Sequence, residues 1–437
     1  MRKPNSFYRP TLSLGAVLLA GATALSAADW PQWRGPARDG KSPETGLAAT
    51  WPEGGPPLVF RASGLGRGYS SLAVAGDRIY TMGDLEDGQY ALALSRVDGS
   101  SVWKTRIGPA WSDRYGGSRA TPTVDGDRVF VLGTEGHVAA LDAATGEVVW
   151  RRSLVEDFGG KLMQAMGTTD WRYSESPLVD QGRVVVTPGS EEAVVVALDR
   201  ATGETLWRAA LPADMGPEGV PGAGYSSAVV SEAGGVRQYV QLVGKGVLGI
   251  EAATGKVLWH YNRVANEIAN IPTPLVRGDQ VFVSSGYGTG AALLEIESGD
   301  GGWTAREVYF LPGNELQNHH GGMVWVDDHV YTGTGHNKGL PVAVEVATGK
   351  TAWGPERNDG RDSAAIALAD GRLYFRYQNG LMILIEATPE AYREHGSFEI
   401  PEVRDPSWSH PVIADGRLYL REQDHLFVYD LTPPAAG

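Results

Sequence analysis

The residues with the most chemistry in this chain are histidines set beside glycines. Residues 318–322 read Asn-His-His-Gly-Gly and residues 335–337 read Gly-His-Asn, which places His319, His320 and His336 in two short polar runs. Imidazole titrates near neutrality, shuttles protons and ligates metals, and neighbouring glycines let the backbone come close to a ligand. Adjacent histidines on a strand point to opposite sides, so His319 and His320 are not expected to share one ion, and no metal ligand is assigned. The plainer alternative is that these imidazoles hydrogen-bond loops and water. Arg119, Glu175, Tyr225, Trp408 and His410 join His320 as candidate ligand-binding residues. An arginine, imidazoles and aromatic rings around a funnel suit a planar or sugar-like ligand carrying negative charge or hydroxyls. There is no nucleophile elbow, phosphate loop or HExxH, so no residue is assigned a catalytic role. The run Gly-Tyr-Gly-Thr-Gly over residues 286–290 is superficially like a nucleotide fingerprint, but it joins two expected strands instead of opening a helix.

What groups those six candidates is a repeat. Residues 119–151 read RATPTVDGDRVFVLGTEGHVAALDAATGEVVWR, and related units begin at Tyr69, Arg119, Ser174, Tyr225, Ile271, His320, Ser363 and Trp408. Each unit parses into four short strands, the first two joined by a Gly/Asp turn such as Gly126-Asp127 that supplies the positive φ of a tight hairpin. The Asp-x-x-Thr-Gly stretch after the third strand caps itself, because the carboxylate of Asp142 or Asp199 can accept backbone N–H bonds from the turn. Trp103, Trp150, Trp207, Trp259 and Trp353 recur at one place in the unit, where a large ring can bury its face between neighbouring sheets. In the fifth unit Trp303 is the expected counterpart, and in the seventh Tyr392.

The eighth unit stops at Asp430 without a fourth strand, while residues 58–61, Leu-Val-Phe-Arg, form an unassigned strand-length run before the first unit. Pairing that run with the last unit shields the edges an open array would expose. The expected fold is therefore all-β: an eight-bladed β-propeller of four-stranded antiparallel blades, closed by an N-terminal strand that completes the last blade. First-strand starts line the channel of such a ring. That rule gathers Tyr69, Arg119, Tyr225, His320 and Trp408 at one mouth, with Glu175 and His410 a step or two deeper. The second-to-third loops open on the same face and add His137, His336 and His425, and the long loop before the third blade adds Asp170, Trp171 and Arg172.

Composition agrees with this reading: 58 glycines and 26 prolines suit many short strands and tight turns. Arg2, Lys3 and Arg9, an apolar run over residues 12–24 and the small residues Ser26, Ala27 and Ala28 have the layout of a secretory signal peptide, with cleavage after Ala27 or Ala28. The expected division is a signal peptide at 1–28, a capping segment at 29–57, the propeller at 58–431 and a tail at 432–437. With no cysteine there is no lipid-anchor residue and no disulfide. The net charge of −14 becomes three units more negative when the leader's cations go, which disfavours nucleic acid as a partner.

The Ala-Thr-Gly-x-x-x-Trp copies resemble the tryptophan-docking motif of pyrroloquinoline-quinone (PQQ) repeat propellers over residues 58–431. The opening run Asp29-Trp30-Pro31-Gln32-Trp33-Arg34-Gly35-Pro36 is similar to that of secreted bacterial members of the group. The resemblance implies the propeller fold and two kinds of activity. Quinoprotein alcohol dehydrogenases of the family stack PQQ between a tryptophan and a disulfide of adjacent cysteines, with calcium beside a catalytic aspartate; other members bind no quinone and hold envelope proteins. Because the cysteines are absent and no calcium or aspartate segment matches, the expected function is an exported periplasmic or extracellular propeller that binds a small-molecule ligand or an envelope protein through its channel mouth. The alternative is a divergent PQQ-dependent dehydrogenase of alcohols or sugars.

Overall fold

The computed structural model describes Met1 and residues 29–164, 171–404 and 406–433. The signal-peptide reading, Asp170 and the end of the tail therefore lie outside the described residues. Eight four-stranded antiparallel sheets make the molecule. In the first blade the strands are Ala73–Ala75, Arg78–Leu85, Gly88–Ser95 and Ser101–Gly108. Blades 2 to 7 repeat the order at 123–153, 178–209, 229–261, 275–312, 323–353 and 364–399. Blade 8 takes three strands from 412–430, and Leu58–Ser63 adds the fourth, with Leu58 opposite Tyr429 and Ser63 opposite His425. The ring is closed as the orphan run implied. Among the described residues no helix is long and apolar enough to cross a membrane.

In blades 1 to 3 one ring docks on the next blade. The Trp103 indole donates to Ala143 O at 3.1 Å, Trp150 to Arg200 O at 3.0 Å and Trp207 to Ala252 O at 3.0 Å. Each lies over the glycine of the following turn. A Cβ at Gly146 would come within 2.6 Å of the Trp103 ring, and its φ of +76° independently requires glycine. The Asp142 carboxylate accepts from Ala144 N and Thr145 N, as the turn chemistry predicted, and those bonds hold its pKa below the usual range.

Two blades depart from the expected ring. In blade 5 the residue in register with the docking position is Tyr309, which pairs with Leu293 at the bulge, donates to Val346 O at 2.8 Å and covers Gly349. The outer hairpin of this blade is longer, 290–312, so Trp303 falls beyond the docking point and packs on Gly234 instead. In blade 7 Tyr392 packs back against Trp353 of blade 6, with ring centroids 5.6 Å apart. The bulge there falls beside Gly396, which is covered by Trp51 from the N-terminal segment. In the closing strand Phe60 takes the position and lies over Gly99 of blade 1. Tyr309→Ala is expected to cost about 2 kcal/mol, below the about 3–5 kcal/mol of a fully buried ring because Tyr309 is half-buried, and Trp303→Ala distinctly less; urea unfolding of the two variants checks the order.

Residues 29–57 are more than a cap. Trp30 pairs with Val74 of blade 1, Pro31 O accepts from Val124 of blade 2, and Arg38 donates to Ser176 O and Pro177 O ahead of blade 3. The Trp33 indole reaches Thr273 Oγ1 at 3.0 Å ahead of blade 5, Arg34 reaches Met323 O of blade 6, and Ser42 and Ala48 pair with Leu368 of blade 7 and Leu431 beyond blade 8. This strap threads the channel and ties seven blades together before it becomes the closing strand.

Candidate binding site at the channel mouth

The extended segments that lead into the first strands alternate their side chains, so residues i and i+2 face the channel and i+1 faces between blades. Tyr69, Arg119, Tyr225, His320 and Trp408 at i, with Ser227, Thr273 and His410 at i+2, line one cavity of about 350 Å³. Of the six candidate ligand residues, Arg119, Tyr225, His320, Trp408 and His410 converge there.

Glu175 does not. It occupies the i+1 position next to Ser174, and parity turns it into the wall between blades 3 and 4. Its carboxylate accepts from Thr187 N, from Thr187 Oγ1 at 2.6 Å and from Gln241 Nε2 at 3.2 Å. Burial raises its pKa to about 7, against those hydrogen bonds and the charge of Arg38.

Four of the six singled-out histidines meet in the cavity wall. The rings of His319 and His320 are 4.5 Å apart and those of His319 and His336 4.3 Å. His319 and His320 both reach the wall because residues 316–322 are irregular and Asn318 bends the run, accepting from Gly322 N at 3.0 Å and donating back to its carbonyl. His137 and His425 lie elsewhere, the first beside Gly108 and the second 3.6 Å from Glu402. The rejected nucleotide-like loop also contributes, since Tyr287 stands against His336 with centroids 4.5 Å apart. Trp33 and Arg34 of the strap form part of the wall as well. Lying outside the repeats, they carried no alignment signal.

Hydrogen bonds fix several protons. Ser363 donates to Asn337 Oδ1 at 2.9 Å, so its oxygen accepts from His319 Nδ1 at 2.6 Å, and His319 Nε2 accepts from the Tyr287 hydroxyl at 3.1 Å. Desolvation pushes His319 down to about 2 and His320 and His410 to about 3, with the charges of Arg119 and Arg34 adding to the effect on the latter two. These imidazoles are neutral at physiological pH.

Cation and aromatic content dominate the rest. The Arg119 guanidinium lies 4.9 Å from the Trp111 ring centroid and 5.2 Å from that of Tyr69, and its Nη2 donates to Tyr115 O. The Trp408 ring meets Tyr69 at 4.6 Å and His320 at 5.2 Å. Arg34 is 2% exposed. Among the described residues neither arginine makes an ion pair; burial lowers each to about 10, against the more distant charges of Asp39 and Asp113, so both remain charged at neutrality. No Asp or Glu belongs to the described wall.

The sequence pattern of the family described as outer membrane protein assembly factor BamB matches residues 87–355, more than half of the chain. The chain belongs to that family. Its fold is accordingly a PQQ-repeat propeller. Similarity to the outer membrane protein assembly factor BamB of Yersinia pestis is 26% identity over 66% of this chain and 68% of that protein. A quinoprotein ethanol dehydrogenase of Pseudomonas putida is 27% identical over 45% of this chain and 32% of its own length. Among solved structures, the quinohemoprotein alcohol dehydrogenase ADHIIG of Pseudomonas putida HK5 superposes with a TM-score of 0.63, covering 94% of this chain and 81% of that one. At 15% identity that likeness concerns the fold alone.

The wall of this family member does not fit a calcium-assisted quinone centre. The chain has no cysteine for a disulfide clamp, the described wall holds no carboxylate to ligate calcium or act as a base, and no group of three described His, Asp or Glu residues is placed to hold a metal ion.

Proposed function

We propose that this propeller binds a small organic anion in its channel mouth and does so without redox catalysis. The supporting observation is the wall's composition: two guanidiniums that make no ion pair among the described residues, beside tilted and edge-on aromatic rings, and no carboxylate among the described wall residues. A buried cation without a direct ion pair is costly, so an anion with flat apolar faces offsets a penalty already built into the fold. Histidines held at about 2 to 3 are poor general bases at neutral pH, which argues against proton abstraction from an alcohol. Residues 1–28 are read as an export signal and 29–57, 58–431 and 432–437 as strap, propeller and tail, which puts the mouth in the periplasm or outside the cell.

A thermal-shift panel of organic acids tests the reading. At least one acid is expected to raise the melting temperature in proportion to the logarithm of its concentration, and Arg119→Gln to weaken it about tenfold or more. Melting temperatures indifferent to every acid would sink it. A second reading, a scaffold for envelope proteins, is favoured by the family match over residues 87–355. It expects a partner retained from envelope extract even by Arg34→Gln, since loops outside the cavity would make that contact.

A further inference from the structure

Arg34 is held by one end only. Its Nη2 donates to Asp39 O at 3.2 Å and to Met323 O, while Nη1 and Nε are buried without a partner among the described residues. Next to it His410, 6% exposed, contacts the His320 carbonyl through Nε2 at 3.2 Å. A carbonyl only accepts, so the neutral ring carries its proton on Nε2 and its Nδ1 is a bare acceptor, buried and without a partner among the described residues. His320 Nε2 is also unpartnered.

The two groups meet over bare backbone. A Cβ built at Gly322 would stand 2.1 Å from Arg34 Nη1 and 3.4 Å from His410 Cε1, so glycine is what leaves the guanidinium and the imidazole side by side. The Trp33 ring lies 4.4 Å from His410. The wall thus combines free donors on a cation, a free acceptor on a neutral ring and flat aromatic faces. A ligand with acceptors alone would satisfy Arg34 and strand Nδ1, and a neutral polyol could donate to Nδ1 but would leave the guanidinium without a counter-charge. A hydroxylated carboxylate satisfies both, and the C–H faces of a pyranose suit the aromatic rings.

We propose that the cavity takes an acidic sugar of the uronate class, its carboxylate on Arg34 of the strap and a ring hydroxyl donating to Nδ1 of His410. This rests on the small-anion reading above and adds the ligand's class and orientation. The cavity volume of about 350 Å³ lies within the range of small-ligand sites.

Calorimetric titration of the full chain with D-galacturonate, digalacturonate, D-galactose and benzoate provides the test. Galacturonate or its dimer should bind about tenfold or more tighter than galactose and benzoate. Arg34→Gln should remove the preference for galacturonate over galactose. Because Arg34 also anchors the strap, Arg34→Lys serves as the second variant, expected to keep the preference with an intact melting transition. His410→Phe keeps a ring against Trp33 and should weaken galacturonate while leaving benzoate unchanged. Equal binding of galactose and galacturonate, or equal losses of both acids in His410→Phe, would overturn the assignment. Benzoate binding more tightly than every uronate would overturn it while sparing the broader anion reading. If no acid bound at all, both would fall.

Discussion

Replacing Arg421 with methionine is expected to destabilise the propeller by about 3–5 kcal/mol, the scale for removing one member of a buried charged hydrogen-bond network. Arg421 stands at the seam where blade 8 meets blade 1. Its Nε donates to Gln423 O at 3.0 Å, Nη2 to Gly66 O at 3.0 Å, and Nη1 to Thr81 Oγ1 at 2.8 Å and to Met82 O. Burial lowers its pKa to about 10, so the charge is retained at a desolvation cost that those carbonyls offset. Methionine fills similar volume but leaves the carbonyls without a donor. The adjacent contacts of Asp424 with Gly64 N and Gly66 N, and of Gln423 with Gly68 N, keep the seam's backbone in place. Urea unfolding should show the loss in the midpoint, with exposed Arg361→Met within about 0.5 kcal/mol of the parent. An unchanged midpoint would mean that strand pairing alone holds the ring shut.

Stability is also expected to fall as the pH drops from about 6.5 towards 3. His319, His320 and His410 have folded pKa values depressed to about 2, 3 and 3, whereas in the unfolded chain they titrate near the ordinary histidine value. The unfolded state therefore binds more protons in this window and gains on the folded state as the medium acidifies. The contribution is fully present above the unfolded value and fades down to the folded one. For the well-buried His410, the loss at pH 5 relative to neutrality is about 2 kcal/mol, at 1.36 kcal/mol per pH unit. The groups acting on these rings include Arg34, Arg119, Arg376, His336 and Tyr287, and the three arginines reinforce the depression. His410→Asn should reduce proton uptake on unfolding between pH 4 and 6 by close to one. A variant with the parent's pH slope would show that the imidazole titrates normally in the folded protein.

The ring was legible because its signals are local and repeated. Gly-Asp turns, self-capping Thr-Gly stretches and the orphan run at 58–61 each have a short-range cause, and together they count the blades. Legibility failed where spacing stood in for geometry. Trp303 is the docking residue of blade 5 that the sequence suggests, but a longer hairpin moves the bulge and hands the place to Tyr309. Tyr392 looked equivalent in blade 7, where the strap's Trp51 covers Gly396 instead. At the mouth the alignment found five candidates that share the cavity and misplaced Glu175 by a single residue of parity. The irregular run at 316–322, which brings His319 and His320 together in the wall, has no strand period to announce it. Trp33 and Arg34 had no repeat to be compared with, and only the threading of the channel shows where they lie.

The closing strand has a consequence for how the chain acquires its shape. Leu58 is synthesised early, yet its partner Tyr429 lies at the far end of the chain. Until the last hairpin emerges, Leu58–Ser63 has no partner to zip with, and the contacts of residues 44–51 with blades 7 and 8 must also wait. Such long-range pairing makes loop closure a late, slow step, during which an unsatisfied edge invites association with other chains. A ribosome that stopped short of Arg417 would release seven blades and a loose leading end instead of a slightly shorter ring.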